Sequence, residues 1–387
     1  RAATLIDICN RILHSCTMVS INIKDKQNGP MIFDALNSKQ MPITVGELIK
    51  NALFARNKNM SIAEMKQIHD CQWLPFVNKF QLEKTNYLEK YLFPFGLIGN
   101  IYLKKNDTYN SIVNNWGKEK QADEIIEELS EYQEAFMAIN GGPLENYPKN
   151  LREAIKTIHG SGFPSSCHPF FMKVLRRVES NPNFEREAIK IFNSIETFLV
   201  RRQVCNEEPT GLHAVFKRMW HDLENTEGIT SSTVINYIRT PVKRKTVKFI
   251  NDDEFYKGIK ENPIYKKKID KFLLVEYDKF FGTELKDYED ITIEHVLPRN
   301  GNNWLDKFSP EEHNKYVDVL ANLVPLTGEF NSSGGNKKYA EKRRLFITKS
   351  KCLSTRTLFE QFDDWNPKNL EKRSEEIAKW ALERWKY

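Results

Sequence analysis

The chain has 387 residues, 40% hydrophobic and 12% aromatic, the composition of a globular protein, and its length fits two or three domains with substantial cores. Its 58 Lys and Arg against 52 Asp and Glu leave a formal net charge of +6, so overall charge is only weak support for a polyanionic partner. Cysteines at 9, 16, 71, 167, 205 and 352 form no C-x-x-C pair, which fits a reducing cytoplasm and argues against structural zinc.

Residues Leu5 to Leu13 carry apolar side chains at helical spacing, and Met18 to Ile23 alternates as a strand does before the turn at Asn28-Gly29-Pro30. No signal peptide precedes them, and a chain that opens with Arg1 already inside a helical pattern reads as a truncation. A helix is predicted over Val45 to Ala55. From Ile62 to Leu199 the pattern is mostly helical, with loop signals at Asn140-Gly141-Gly142-Pro143, Gly160-Ser161-Gly162-Phe163-Pro164 and Asn181-Pro182. The most apolar stretch, Tyr91 to Leu103, falls short of the roughly 18 residues of a membrane span and is broken by Pro94, Gly96, Gly99 and Asn100. Asn206 to Gly211 marks another loop, after which Leu212 to Leu223 and Phe255 to Phe281 read as mostly helical. There is no internal repeat and no low-complexity tract.

Between Glu284 and Gly328 the texture changes to short β-prone pieces, Ile291-Thr292-Ile293 and Leu323-Val324-Pro325-Leu326, with a short helix predicted at Pro310 to Val319. Asn336 to Phe346 returns to helical composition, so the order is strand, connection, strand, helix. The first strand ends in Glu294-His295. A neutral imidazole is the side chain best placed to take a proton near pH 7, which makes His295 the candidate general base. In an extended strand the adjacent carboxylate points to the opposite side, unless the backbone turns there. An isolated Glu-His pair is more often a satisfied hairpin histidine. Here Pro298, Asn322, Asn331 and a basic helix follow in order, and the joint pattern reverses that preference. The histidines at 14, 69, 159, 168, 213, 221 and 313 have no such company and read as surface or core residues.

Two basic runs stand out: Arg239, Lys243, Arg244, Lys245 and Lys248, and then Lys337, Lys338, Lys342, Arg343, Arg344, Lys349 and Lys351 with only Glu341 opposing. Each is read either as a solvated face or as a set of phosphate contacts. Nucleophile chemistry of the G-x-S-x-G kind is absent, and Thr327 to Lys337 lacks the spacing of a phosphate-binding loop.

Glu294-His295-x-x-Pro298, Trp304, Asn322-Leu-x-x-Leu-x-x-x-x-Asn331 and Asn336-Lys337 together resemble the nuclease half of the GmrSD/SspE/BrxU-type, modification-dependent (type IV) restriction endonucleases, whose active site is an HNH, or His-metal, finger. Phe198 to Cys205 is similar to the helix that opens this module, and Trp365, Glu371-Lys372-Arg373 and Trp385 to its closing helix. Ile32 to Ser38 and Leu48 to Phe54 resemble the end of the family's sensor and nucleotide-hydrolysing module, whose Asp-Gly-Gln-rich signature is absent here. Residues 65 to 190 are covered only loosely.

The resemblance implies a mainly α protein with a small α+β element: a helical array containing a ββα finger at about 290–346, preceded by the tail of an α/β sensor domain. The expected domains are 1–65, the remnant of the sensor; 66–175, a helical connection; and 176–387, the helical nuclease domain. The resemblance implies His295, Asn322 and Asn331 as the catalytic set, with Glu294 and Asn331 as metal ligands. Both offer oxygen to a hard ion, favouring Mg²⁺ with Mn²⁺ as a substitute. Asn322 also suits a role bracing the loop through its backbone. Asn336, Lys337, Lys338, Lys342, Arg343 and Arg344 are the expected DNA contacts. The implied activity is metal-dependent cleavage of foreign, modified DNA in prokaryotic antiphage defence, in the cytoplasm and away from any membrane, with a homodimer and a missing N-terminal sensor region as further partners. The rival reading is a regulatory module that binds DNA or a partner and no longer cuts.

Overall fold

A computed structural model describes residues 44–56, 60–82, 85–240, 247–283, 291–300, 304–327 and 336–387. The expected helix at 5–13 and strand at 18–23 lie outside these, as do Asn331 and Lys243 to Lys245. The protein is mainly helical with a few short strands. No helix among the described residues is long and apolar enough to cross a membrane. The chain divides into two compact units, Arg1–Val77 with Lys104–Glu127, and Asn78–Leu103 with Glu128–Tyr387.

In the first unit, α1 (Val45–Arg56) starts where Thr44 and Glu47 cap each other: the Glu47 N–H donates to the Thr44 hydroxyl and the Thr44 N–H to the Glu47 carboxylate, both at 3.2 Å. Ile49 and Leu53, four residues apart on one face, are fully buried. The next helix, α2 (Ile62–Ile68), begins with a second such box, Ser61 with Glu64.

The second unit opens with a minimal antiparallel pair, β1 (Gln81–Leu82) and β2 (Thr85–Asn86). A helical array follows: α3 (Leu88–Gly99), α4 (Gln133–Ile139), α5 (Lys149–Gly160), α6 (His168–Ser180), α7 (Glu185–Val204), α8 (Leu212–Glu224) and α9 (Ser231–Arg239). Along α7 the apolar residues Ala188, Ile191, Phe192, Ile195, Phe198 and Leu199 recur at steps of three and four, which turns one stripe towards α5 and α6. There Phe192 stacks on Phe171 with ring centroids 4.5 Å apart. The loop signals read from the sequence fall between these helices. At the first of them Gly141 has φ +88, a conformation that a side chain strains, and an added Cβ would lie 3.1 Å from His159 Nε2.

The stretch expected to be one helix over Phe255 to Phe281 is two, α10 (Asp252–Glu261) and α11 (Asp270–Phe280). Pro263 causes the break, because the residue before a proline is driven out of the helical region and Asn262 is extended. The freed backbone is reused: Pro263 forms a bridge with Val319, and the N–H groups of Ile264 and Tyr265 both donate to the Asp318 carbonyl, at 2.8 and 3.3 Å. That return brings Tyr265 to the end of the strand β3 (Ile291–His295).

β3 pairs antiparallel with β4 (Leu323–Thr327), in a register that sets His295 opposite Leu323 and Ile293 opposite Pro325. Each strand of a two-stranded sheet is an edge, which is why a proline is tolerated in β4. Between them lies α12 (Pro310–Tyr316), started by the Ser309–Glu312 capping box with Pro310 in the first turn. After β4 come α13 (Tyr339–Lys349), α14 (Leu353–Gln361) and α15 (Pro367–Arg384). The hairpin buries Ile291, Leu323, Val324 and Leu326 in a core that includes Trp365 and Trp385.

Two arginines at the end of α7 tie this core to the array. Arg201 is fully buried, donates to the Trp385 carbonyl at 2.9 Å and to Asp252 at 2.6 Å, and lies over the Tyr387 ring. Arg202 donates to the carbonyls of Lys248 and Glu208, each at 2.6 Å. Both serve as braces for backbone.

Candidate functional site

His295 ends β3 and its side chain is nine-tenths buried. Its Nε2 lies 3.0 Å from Asp318 Oδ1, and the Tyr265 ring packs edge-on against the imidazole with centroids 4.3 Å apart. Arg299 closes the group from the exposed side: its Nε is 3.7 Å from the same Asp318 oxygen and its guanidinium lies over Tyr265. Burial holds the imidazole pKa below its ordinary value, against the opposing pull of Asp318, so the neutral form prevails at pH 7. Tyr265, Arg299 and Asp318 escaped the sequence reading. One signal was available, since Asp318 is a lone acid inside the apolar run Val317 to Leu323.

Glu294 faces the other way, as strand alternation requires. Its Oε1 accepts from the Lys342 ammonium at 2.7 Å, and the same ammonium donates to the His295 carbonyl at 2.5 Å. The Lys342 side chain is fully buried, and that burial lowers its pKa while Glu294 pulls it back up. This corrects the expectation that Lys342 belongs to a DNA-facing surface: an ammonium with no exposure and two partners inside the fold contacts no phosphate. Lys342 clamps the end of β3 to α13. Its neighbour Arg343 is engaged by Asp363 at 2.8 Å, whereas Arg344, Asn336, Lys337 and Lys338 are exposed.

Asn322 is fully buried and its amide is saturated. Oδ1 accepts from the Leu297 N–H at 2.8 Å and the Trp365 indole at 3.2 Å, while Nδ2 donates to the carbonyls of Leu297 at 2.9 Å and Val317 at 2.8 Å. With every amide atom occupied it has nothing to offer a substrate, so its expected place in the catalytic set gives way to its other expected role, the loop brace. The Asn322 carbonyl also accepts from the Val296 N–H at 2.9 Å, so one residue fixes the turn immediately after His295. Arg373, fully buried and with its pKa lowered to about 10 by desolvation, donates to the Ala321 carbonyl at 2.6 Å and holds Asn322 from behind. His313 steadies the same loop by donating to the Pro298 carbonyl at 2.9 Å.

Among the described residues no three His, Cys, Asp or Glu side chains gather as a cation site. The expected ligand Asn331 lies outside them. The described half of the expected donor set suits a hard cation in kind: Glu294 supplies carboxylate oxygen, and Lys342 occupies Oε1 of the two. A cavity of about 680 Å³ between α8 and α9, lined by Val215, Leu223, Tyr237 and Val247, includes none of these residues.

No curated protein matches this chain. The family model for the C-terminal domain of GmrSD restriction endonucleases matches residues 249–380, about a third of the chain. That span runs from the residues before α10 into α15 and takes in the hairpin, His295, Asp318, Asn322 and Lys342. Residues 249–380 are therefore similar to the C-terminal domain of the GmrSD restriction endonucleases.

Proposed function

We propose that this chain is a metal-dependent, HNH-type DNA endonuclease that nicks or cuts foreign, modified DNA in prokaryotic antiphage defence. The observation that carries the reading is the position of His295: a buried imidazole kept neutral at pH 7, at the end of the first strand of a strand–strand–helix sequence, inside the span that resembles the GmrSD C-terminal domain. As general base it takes a proton from the water that attacks the phosphodiester. Asn322 and Arg373 hold the turn that aims it, and Lys342 pins the strand on which it sits. Glu294 and Asn331 would hold Mg²⁺ or Mn²⁺, which when bound supplies a positive charge to stabilise the phosphate as negative charge builds on it. Lys337, Lys338 and Arg344, exposed at the start of α13 and along it, are suited to phosphate contacts. A double-strand break requires two such sites, hence a homodimer or two events.

The test is nicking of a supercoiled plasmid by the full chain with Mg²⁺ or Mn²⁺. Cleavage that EDTA abolishes is the expected result. Tight DNA binding without nicking, in either metal and with modified as well as plain DNA, would favour the regulatory module instead.

A further inference from the structure

The carboxylate of Asp318 is placed with unusual care for a partly exposed acid. Its own carbonyl accepts two N–H groups from the Ile264–Tyr265 return, the carbonyl of Val317 before it accepts from Asn322, and Val319 after it bridges to Pro263. Hydrogen bonds to the backbone thus hold three consecutive residues, and none of them depends on the Asp318 side chain. From this mount Oδ1 meets His295 Nε2 at 3.0 Å. A carboxylate oxygen can only accept, so Nε2 carries the hydrogen and donates it. Arg299 Nε approaches the same oxygen and the Tyr265 ring covers the imidazole edge, which restricts rotation of both partners.

We propose that Asp318 is the positioning residue of His295: its carboxylate fixes the imidazole as the Nε2–H tautomer and so makes Nδ1 the nitrogen that takes the proton. The inference rests on the reading of His295 as the general base, to which it adds which nitrogen acts and what selects it. A neutral histidine without such a partner divides between two tautomers, and the fraction with its hydrogen on Nδ1 has no basic nitrogen where the base must act. Asp318 removes that fraction.

The test uses the full chain labelled with ¹⁵N-histidine, in long-range ¹H–¹⁵N spectra at about pH 8, where imidazoles are neutral, with His295→Gln assigning the resonance. The wild type is expected to show Nε2–H, Asp318→Ala a mixture of tautomers, and Asp318→Asn, whose amide NH₂ can donate to Nε2, a shift towards the reverse tautomer. In the nicking assay Asp318→Ala should lose about 10- to 100-fold in rate at unchanged DNA affinity, and Asp318→Asn at least as much. The backbone mount stays intact in both variants, so both are expected to unfold cooperatively, Asp318→Ala with a lower midpoint because the buried Nε2–H loses its acceptor. A wild-type Nδ1–H tautomer, a tautomer indifferent to Asp318→Ala, or a full rate in a variant whose tautomer has changed would each overturn the proposal. Should the wild type fail to nick while its tautomer follows Asp318, the base reading of His295 fails and the tautomer assignment stands.

Discussion

Among the described residues two histidines are buried, His168 at the start of α6 and His295 at the end of β3, and their surroundings differ in one respect that decides what each can do. Both press an imidazole edge-on against aromatic rings, Phe136 and Phe163 in the array and Tyr265 at the hairpin. Burial lowers the pKa of both. Around His168, however, no acceptor answers the ring, its Nδ1 has no hydrogen-bond partner, and desolvation, reinforced by the positive charge of Lys90, drives the pKa to about 4. Around His295 a carboxylate answers the ring nitrogen and partly offsets desolvation. Burial alone yields an inert core imidazole. Burial with a fixed acceptor yields one whose hydrogen has an assigned place.

The largest expected difference between the two regions lies in cleavage. His295→Ala should lower the plasmid nicking rate by about 10²- to 10⁴-fold, the usual worth of a general base, with DNA affinity nearly unchanged. His168→Gln, measured in parallel, should cut at the wild-type rate. Near-normal nicking by a clean His295→Ala preparation would remove the functional distinction between the two sites altogether.

How the surroundings are held also differs, and there the second prediction applies. The His168 side rests on aromatic packing, whereas the turn after His295 hangs on the amide of Asn322. Asn322→Leu, close in shape and apolar, strands the Leu297 N–H and carbonyl, the Val317 carbonyl and the Trp365 indole in a fully buried site. At about 1–3 kcal/mol for each polar group left unpaired, less what relaxation recovers, the loss should be about 3–5 kcal/mol in denaturant unfolding. A loss below about 1 kcal/mol would mean that the brace is dispensable.

Much of this contrast was legible in the sequence, and what was missed has identifiable causes. His295 stood out because its neighbours in the pattern, Pro298 and Asn322, come from the same turn that the structure closes with hydrogen bonds. The opposed directions of Glu294 and His295 follow from strand alternation alone. Lys342 was misread because a lysine in a basic helical run is assigned to solvent by habit. Yet it stands three residues after Tyr339 and four before Phe346, both buried, so helical spacing already put it on the inward face. Asp318 carries no motif and meets His295 only through the return at Pro263, a contact between segments more than fifty residues apart in the chain. The Asn262-Pro263 break was readable as a helix stop and was lost within a long apolar pattern.

The smallest of the expected effects concerns stability in acid, and it isolates the unopposed desolvation of His168. Its pKa is near 6.5 in the unfolded chain and about 4 in the folded one, so between those values the unfolded state binds a proton that the folded state refuses. The contribution is therefore fully present above pH 6.5 and is lost as pH falls towards 4. Integrated over the window it amounts to about 3 kcal/mol. His295 acts in the same direction over a narrower range, because Asp318 offsets part of its desolvation. His168→Gln has nothing to titrate, so denaturant midpoints followed from about pH 7 down to 4 should fall less steeply for this variant than for the wild type, with the gap opening only below about 6.5. A gap of constant size across the whole range would mean that the substitution changed packing and that protonation of His168 costs the fold nothing, and the two buried histidines would then differ in chemistry without differing in their electrostatics.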